Sequence, residues 1–311
     1  MSLGQRLAYV ALCILREPFR RLPVSTSLAL GAKLARALEY VGGRRIDFAR
    51  INLRIAFPNW SEAERRSLLR ASLENLGRSL AELALIQGPR RKELFSGIRF
   101  EGVEHRDRAR ELSKCGGVIV FTAHFGAWEL GGMATGALGY PLTVVHRAFE
   151  NPYFEAMARA WREGSGMQTL PQGQAARGAV RALRRGDYLL MLLDQDVPRD
   201  EAVFVDFFGM QAATRSAPAR LAMRLGVPLL PVAVERDGKS ARHVVRFFEP
   251  LVVQPGGDAL AVEATSLAIN RALEAIVRRH PDHWSWLHRR WRTRPRPGEE
   301  GPYPSRRRRS T

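Results

Sequence analysis

Between residues 97 and 279, short apolar, β-branched runs alternate with longer amphipathic stretches, and this alternation limits what the chain can become. Strands are predicted at 117–123, 142–146, 188–193, 228–234 and 243–248. Helices are predicted at 127–137, 152–163, 174–185, 215–225 and 262–279. Asn151 caps and Pro152 opens the second of these helices, with Tyr153, Phe154, Met157 and Trp161 on one side. Gly186 and Gly226 close the third and fourth. Strands alternating with helices build an α/β fold, a mostly parallel central sheet flanked by helices.

Ligands of such sheets gather at the carboxyl ends of the strands. This sequence places His124, His146-Arg147 and Asp194-Gln195-Asp196 there. The run Val118 to Glu129 is the most informative of the three. A buried strand ends on a histidine, small residues follow, and a carboxylate comes five positions later. His124 is then a base at the mouth of a strand, and Glu129 on the next turn is expected to hold its ring. Gly126 and Ala127 leave room for another molecule to come close. Blander readings stand beside these. His124 could cap a turn, Asp194 and Asp196 could be turn residues, and Arg147 could be one more surface arginine.

Upstream, residues 1–45 read as an N-terminal helical segment. Leu28, Leu30, Ala32, Leu34, Ala35, Leu38 and Val41 form its apolar face, and Gly42-Gly43 ends it. The first apolar run, Leu7 to Leu15, is too short to span a bilayer, and Arg16, Arg20 and Arg21 follow it. That pattern fits attachment to a membrane interface or an ordinary first helix. Ser61 and Glu64 form a capping box. Leu69, Leu73, Leu76, Leu80 and Leu83 then step as one helical stripe, read as core. The main domain is assigned to 46–295, and 296–311 is read as a disordered basic tail ending in Arg306 to Arg309.

The chain has 49 Lys+Arg against 31 Asp+Glu, a formal charge of +18. Such an excess suits a polyanionic partner: nucleic acid, an anionic membrane surface, a phosphorylated lipid or an acidic carrier protein. Cys13 and Cys115 stand too far apart in sequence to suggest a metal or redox motif. There is no Gly-x-Ser-x-Gly elbow, P-loop or dinucleotide fingerprint, which argues against a serine hydrolase, an NTPase or a nicotinamide enzyme. Between Pro281 and Arg292, three tryptophans interleave with basic residues, a pattern suited to an interface segment, a phosphate-binding rim or a stacking platform. His280, Asp282, His283 and His288 resemble metal ligands only superficially, and no metal or cofactor is expected.

Six stretches in order carry a family likeness. They are Asn52 to Pro58, Ala123 to Glu129, Val144 to Arg147 followed by Asn151-Pro152, Asp194-Gln195-Asp196, Phe207-Phe208-Gly209 with Ala213-Thr214, and Trp284 to Arg290 with Arg294-Pro295. Over residues 45–296 the chain resembles the bacterial lipid A biosynthesis acyltransferases, the lauroyl/myristoyl family within the lysophospholipid acyltransferase-like group. His146 departs from the pattern, standing where the family often has a tyrosine. The resemblance implies transfer of a fatty acyl chain from an acyl-carrier-protein thioester to a hydroxyl of a phosphorylated lipid A precursor. It also implies a peripheral or monotopic position on the cytoplasmic face of the inner membrane, and no nucleic-acid partner.

Under the resemblance His124 is the general base, Glu129 orients it, and Arg147 is the first choice to stabilise the oxyanion, backbone N–H groups after His124 being the second. Gly126, Asp194, Asp196, Thr214, Trp284, Arg289 and Arg290 would contact substrate, with Trp284, Trp286, Arg289 and Arg290 suited to a membrane-facing rim. Two rivals remain: an acyl-CoA-dependent enzyme acting on another glycolipid or lysophospholipid, and a non-enzymatic basic protein that binds membranes or nucleic acid.

Overall fold

The computed structural model describes residues 2–304; the run Arg306–Arg309 lies outside the described residues. At its centre is β2 (Val118–Thr122), every residue of which is buried. A strand covered on both faces reads as a continuous apolar run, as this one does. β5 (Tyr188–Leu192) and β8 (Leu229–Arg236) lie parallel on either side, so Ile119 pairs with Leu189 and Leu229. β3 (Leu142–His146) and β4 (Gln168–Pro171) extend the sheet beyond β5, and β9 (His243–Phe247) and β1 (Ile98–Glu101) extend it beyond β8. The order is β1-β9-β8-β2-β5-β3-β4, parallel throughout except between β8 and β9.

Ile119 and Phe121 point to one face of this α/β sheet, Val118 and Val120 to the other, and each face has its own core. α4 (Arg44–Ala56), α10 (Ala175–Arg184) and α12 (Ala259–Arg279) supply the first, together with Trp284, Trp286 and Trp291. α6 (Arg91–Ser96), α7 (Val103–Leu112) and α8 (Trp128–Ala137) contribute to the second, α11 (Ala217–Leu225) adds Ala222 to the first, and the short α3 (Leu38–Val41) buries Glu39. β6 (Ala202–Phe207) and β7 (Met210–Arg215) form a separate hairpin whose turn residue Phe208 has φ 55°. That left-handed conformation is costly for a bulky residue. Phe208 is held there by a 2.7 Å bond from its N–H to Glu274 and by stacking on Trp284.

α5 (Glu62–Leu85) joins the two cores, its N-terminal half packing in the first and its C-terminal half in the second. It starts at the expected capping box, in which Ser61 and Glu64 bond each other's backbone. Its buried face departs from the leucine stripe. Leu69 and Leu73 are sealed, Leu76 and Leu83 are half-buried, and Leu80 is 55% exposed. The reason is that α5 is covered on more than one side, so Asn75, Ser79 and Glu82 are buried as well.

The boundary expected at residue 45 is not a packing boundary. α2 (Val24–Arg36) packs Val24 and Leu28 into the second core, and its Gly31 presses on Gly77 of α5. A Cβ on either glycine would strike the other's carbonyl oxygen. α1 (Leu3–Arg21) lies against α9 (Pro152–Glu163), where Tyr9 stacks on Tyr153 and Arg16 sits over Trp161. It buries none of its own residues and leaves Leu3, Leu7, Ile14 and Leu15 at least 60% exposed. Among the described residues no helix is long and apolar enough to cross a membrane.

The tail reading also needs correction over 296–304. Tyr303 donates to Asn52 Oδ1 at 2.6 Å, accepts from the Trp291 N–H and packs on Phe48, which ties this stretch to α4.

Candidate active site

β2 and β5 are neighbours, so the residues just beyond their carboxyl ends meet. His124 Nδ1 lies 2.8 Å from Asp194 Oδ1, and the His124 backbone N–H donates to Asp194 Oδ2 at 3.0 Å. Trp284 Nε1 donates to the same Oδ2 at 2.8 Å. The Asp194 side chain is fully buried, whereas that of His124 is 28% exposed. Burial alone would favour the neutral acid at Asp194, but the facing imidazole and its hydrogen bonds hold the carboxyl well below the usual range. Burial likewise disfavours charge on His124, yet the Asp194 carboxylate outweighs it, with Glu129 adding a smaller attraction, and the ring titrates above its ordinary 6.5. An ionised Asp194 fixes the proton on Nδ1 and leaves the Nε2 lone pair free. The Gln195 amide nitrogen sits 3.4 Å from both ring nitrogens, and Trp128 meets the ring edge-on.

The loop carrying His124 is fastened on several sides. Ser285 N–H donates to the His124 carbonyl at 3.0 Å, Gly126 N–H donates to the His283 carbonyl at 2.8 Å, and Ser79 Oγ donates to the Gly126 carbonyl at 3.1 Å. Behind Ser79 lies a buried ion group in which Arg236 bonds both oxygens of Glu82, and His243 bonds Glu82 at 2.8 Å. Removing one member of such a group leaves uncompensated buried charge.

Several sequence expectations change here. Glu129 does not hold the His124 ring. It lies in the first turn of α8, where Arg162 of α9 takes both of its oxygens, and Asp194 occupies the ring's Nδ1. Arg147 is exposed at the end of β3, with β5 between it and β2, and makes no hydrogen bond or ion pair among the described residues. The buried guanidinium beside Glu129 is Arg162, whose Nη1 has no partner among the described residues. Gly126 has φ 57°, and a Cβ there would collide with the Val234 carbonyl, so its smallness serves the packing of this loop on β8.

Asp196 accepts from the Thr293 N–H and hydroxyl, both at 3.0 Å, and anchors the C-terminal segment; burial raises its pKa. Thr214 is buried and bonds Arg290 and Asn270. Trp284 and Trp286 are core residues, each 1% exposed, so neither belongs to a surface rim. Arg290 is fully buried among the Ala213 carbonyl, Thr214 and Asn270, with no carboxylate bonded to it among the described residues, and burial draws its pKa down to about 10. Arg289 is half-buried over the Phe48 ring.

His280, Asp282 and His283 bring three possible ligand atoms within 4.8 Å of one another. However, the Arg236 backbone N–H donates to His283 Nε2 at 3.0 Å. Nδ1 must then carry the proton, which it gives to Asp282 at 3.0 Å, and it offers no lone pair to a metal.

A narrow apolar cavity lies between the sheet and α7 and α8. Thr122 and Trp128 line it next to His124; Val120, Leu190 and Val232 line its middle; Arg106 and Tyr140 line it away from the histidine. Sequence reasoning found neither this cavity nor Arg162. Asp194 as partner to His124 was accessible only through the order of the strands.

The bacterial lipid A biosynthesis acyltransferase profile matches residues 5–293. A lipid A biosynthesis lauroyltransferase and a palmitoleoyltransferase, both from Escherichia coli K12, are each 27% identical over 88% of this chain and 88% of their own. A myristoyltransferase from the same strain is 26% identical over 88% of this chain and 82% of its own. Among solved structures, the 1-acyl-sn-glycerophosphate acyltransferase of Thermotoga maritima aligns with 82% of this chain and 94% of its own at 17% identity and a TM-score of 0.35. With a match across nearly its whole length, the chain belongs to the bacterial lipid A biosynthesis acyltransferase family.

Proposed function

We propose that this acyltransferase moves a fatty acyl chain from an acyl-carrier-protein thioester to a hydroxyl of a phosphorylated lipid A precursor, with His124 as general base. The observation that carries this reading is the His124–Asp194 pair, which leaves Nε2 unprotonated next to Thr122 and Trp128 of the apolar cavity, with the Gln195 amide nitrogen its one neighbour at 3.4 Å among the described residues. Nε2 takes the hydroxyl proton as the oxygen attacks the thioester carbonyl. The Asp194 carboxylate favours the imidazolium that forms, the role an acid plays in a hydrolase triad, but the acceptor alcohol is itself the nucleophile. The tetrahedral oxyanion collapses, the C–S bond breaks, and the departing thiolate takes the proton back from His124.

The first N–H groups of α8 lack a side-chain cap and suit the oxyanion. The Arg162–Glu129 pair, in the first turn of α8, fits a role in positioning the start of that helix. The acyl chain fits the apolar cavity.

The exposed leucines and isoleucine of α1, flanked by Arg6, Arg20 and Arg21, support attachment to an anionic bilayer, which for this reaction is the cytoplasmic face of the inner membrane. The arginine excess suits both an acidic carrier and a phosphorylated acceptor. Purified protein is to be incubated with lauroyl-carrier protein or lauroyl-CoA and a lipid A precursor, and the products weighed by mass spectrometry. One added acyl group, made faster from the carrier donor and lost in His124→Ala, is the expected result. Equal turnover by His124→Ala would refute the base assignment, and a preference for CoA would refute the donor.

A further inference from the structure

The apolar cavity has one charged lining residue, Arg106, and it stands at the end remote from His124. Its Nη1 bonds Tyr140 Oη at 2.5 Å, its guanidinium lies 5.1 Å from the Tyr140 ring centre and 6.0 Å from that of Phe247, and its Nε bonds Asp107 at 2.8 Å. Arg106 is 17% exposed and Asp107 57% exposed, so the outer side of this wall is near solvent. We infer that Arg106 and Tyr140 form a removable end wall that sets the longest acyl chain this enzyme accepts. The inference rests on the proposed reading that the acyl chain enters this cavity.

Depth follows from the sheet register. Tyr188 and Thr122 both line the cavity, and Val118 pairs with Tyr188 while Thr122 pairs with Leu192. They therefore stand four levels apart, roughly 13 Å along the strands. At about 1.3 Å advance per carbon of an extended chain, that space takes roughly ten carbons. A methyl terminus reaching the wall meets a hydrogen-bonded guanidinium stacked on two rings, which it cannot displace without breaking those contacts. The wall is contributed by α7 and by the loop before β3, outside the strands themselves, so truncating it opens the cavity outward and leaves the sheet intact.

The test compares kcat/KM for decanoyl, lauroyl, myristoyl, palmitoyl and stearoyl carrier-protein donors, and the binding of the matching free fatty acids by native mass spectrometry without acceptor. Tyr140→Ala and Arg106→Ala are expected to move the optimum to longer chains, with each newly accommodated methylene worth roughly fourfold in the ratio of long to short donors. Leu190→Phe, which fills the middle of the cavity, is expected to move it to shorter ones. An unchanged length cut-off in folded Tyr140→Ala and Arg106→Ala overturns the inference. If those two variants do not fold, Leu190→Phe decides: a shift to shorter chains supports a cavity of fixed depth, and an unchanged profile overturns it. Absence of transfer by the wild type with every donor would overturn the functional reading instead, while the fatty-acid binding series would still decide the end wall.

Discussion

Asp194→Asn tests the site most directly, because the structure dictates how the amide must sit. Two donors, the His124 N–H and Trp284 Nε1, converge on Oδ2. Turning the NH2 group toward them would leave two buried donors unsatisfied, at a cost of roughly 1–3 kcal/mol each. The amide oxygen therefore takes the Oδ2 place, and the NH2 faces His124 Nδ1. Nδ1 becomes an acceptor, the ring proton moves to Nε2, and the base is lost. In hydrolase triads the same wrong-tautomer substitution lowers kcat by about 10⁴, about 5 kcal/mol at 1.36 kcal/mol per decade. A loss of that order is expected here, measured as acyl transfer at saturating donor, with circular dichroism confirming the fold. Nitrogen-15 spectra of the labelled imidazole should show the proton moved from Nδ1 to Nε2. Activity within tenfold of wild type, or a proton still on Nδ1, would refute the reasoning.

Because His124 must be neutral to accept a proton and its pKa is raised, wild-type kcat/KM should fall as pH drops through a value above 6.5; an acid limb below 6.5 would contradict the carboxylate's effect. Arg236→Met strands the buried Glu82 and should cost about 3–5 kcal/mol, read as a lower denaturant midpoint. Trp284→Phe removes one donor to Asp194 and leaves a small buried cavity, and should lower both kcat and the melting temperature. Leu7→Asp with Ile14→Asp should release the protein from anionic vesicles in a flotation assay, and raising salt should weaken wild-type binding. Salt-independent binding would remove the electrostatic part of that reading.

Five strands were legible in sequence because β2, β3, β5, β8 and β9 are largely buried, and buried strands leave continuous apolar runs. β1 and β4 are short, half-buried sheet edges, and the β6–β7 hairpin lies outside the main sheet, so none leaves such a run. His124 was legible as the residue at a strand's end. Its partner was not, because seventy positions separate it from Asp194 and only the lateral order of β2 and β5 brings them together. The nearby Glu129 misled because an acid one helical turn away can reach a neighbouring helix as readily as the histidine. The Trp- and Arg-rich segment misled for a similar reason. Composition alone does not separate a surface stripe from a core strap, and Arg290 is sealed by neutral acceptors that no local pattern announces.

The glycine-to-glycine crossing of α2 and α5 ties attachment to chemistry. With backbone resting on backbone, no pliable side chain lies between the two helices to absorb a displacement. Within about a turn and a half of Gly77 on the same helix, Ser79 and Glu82 grip the loop behind His124 and the ions that brace it. Any surface on which the N-terminal helices were seated, as proposed for an anionic bilayer, would act through this stiff contact on the orientation of the imidazole.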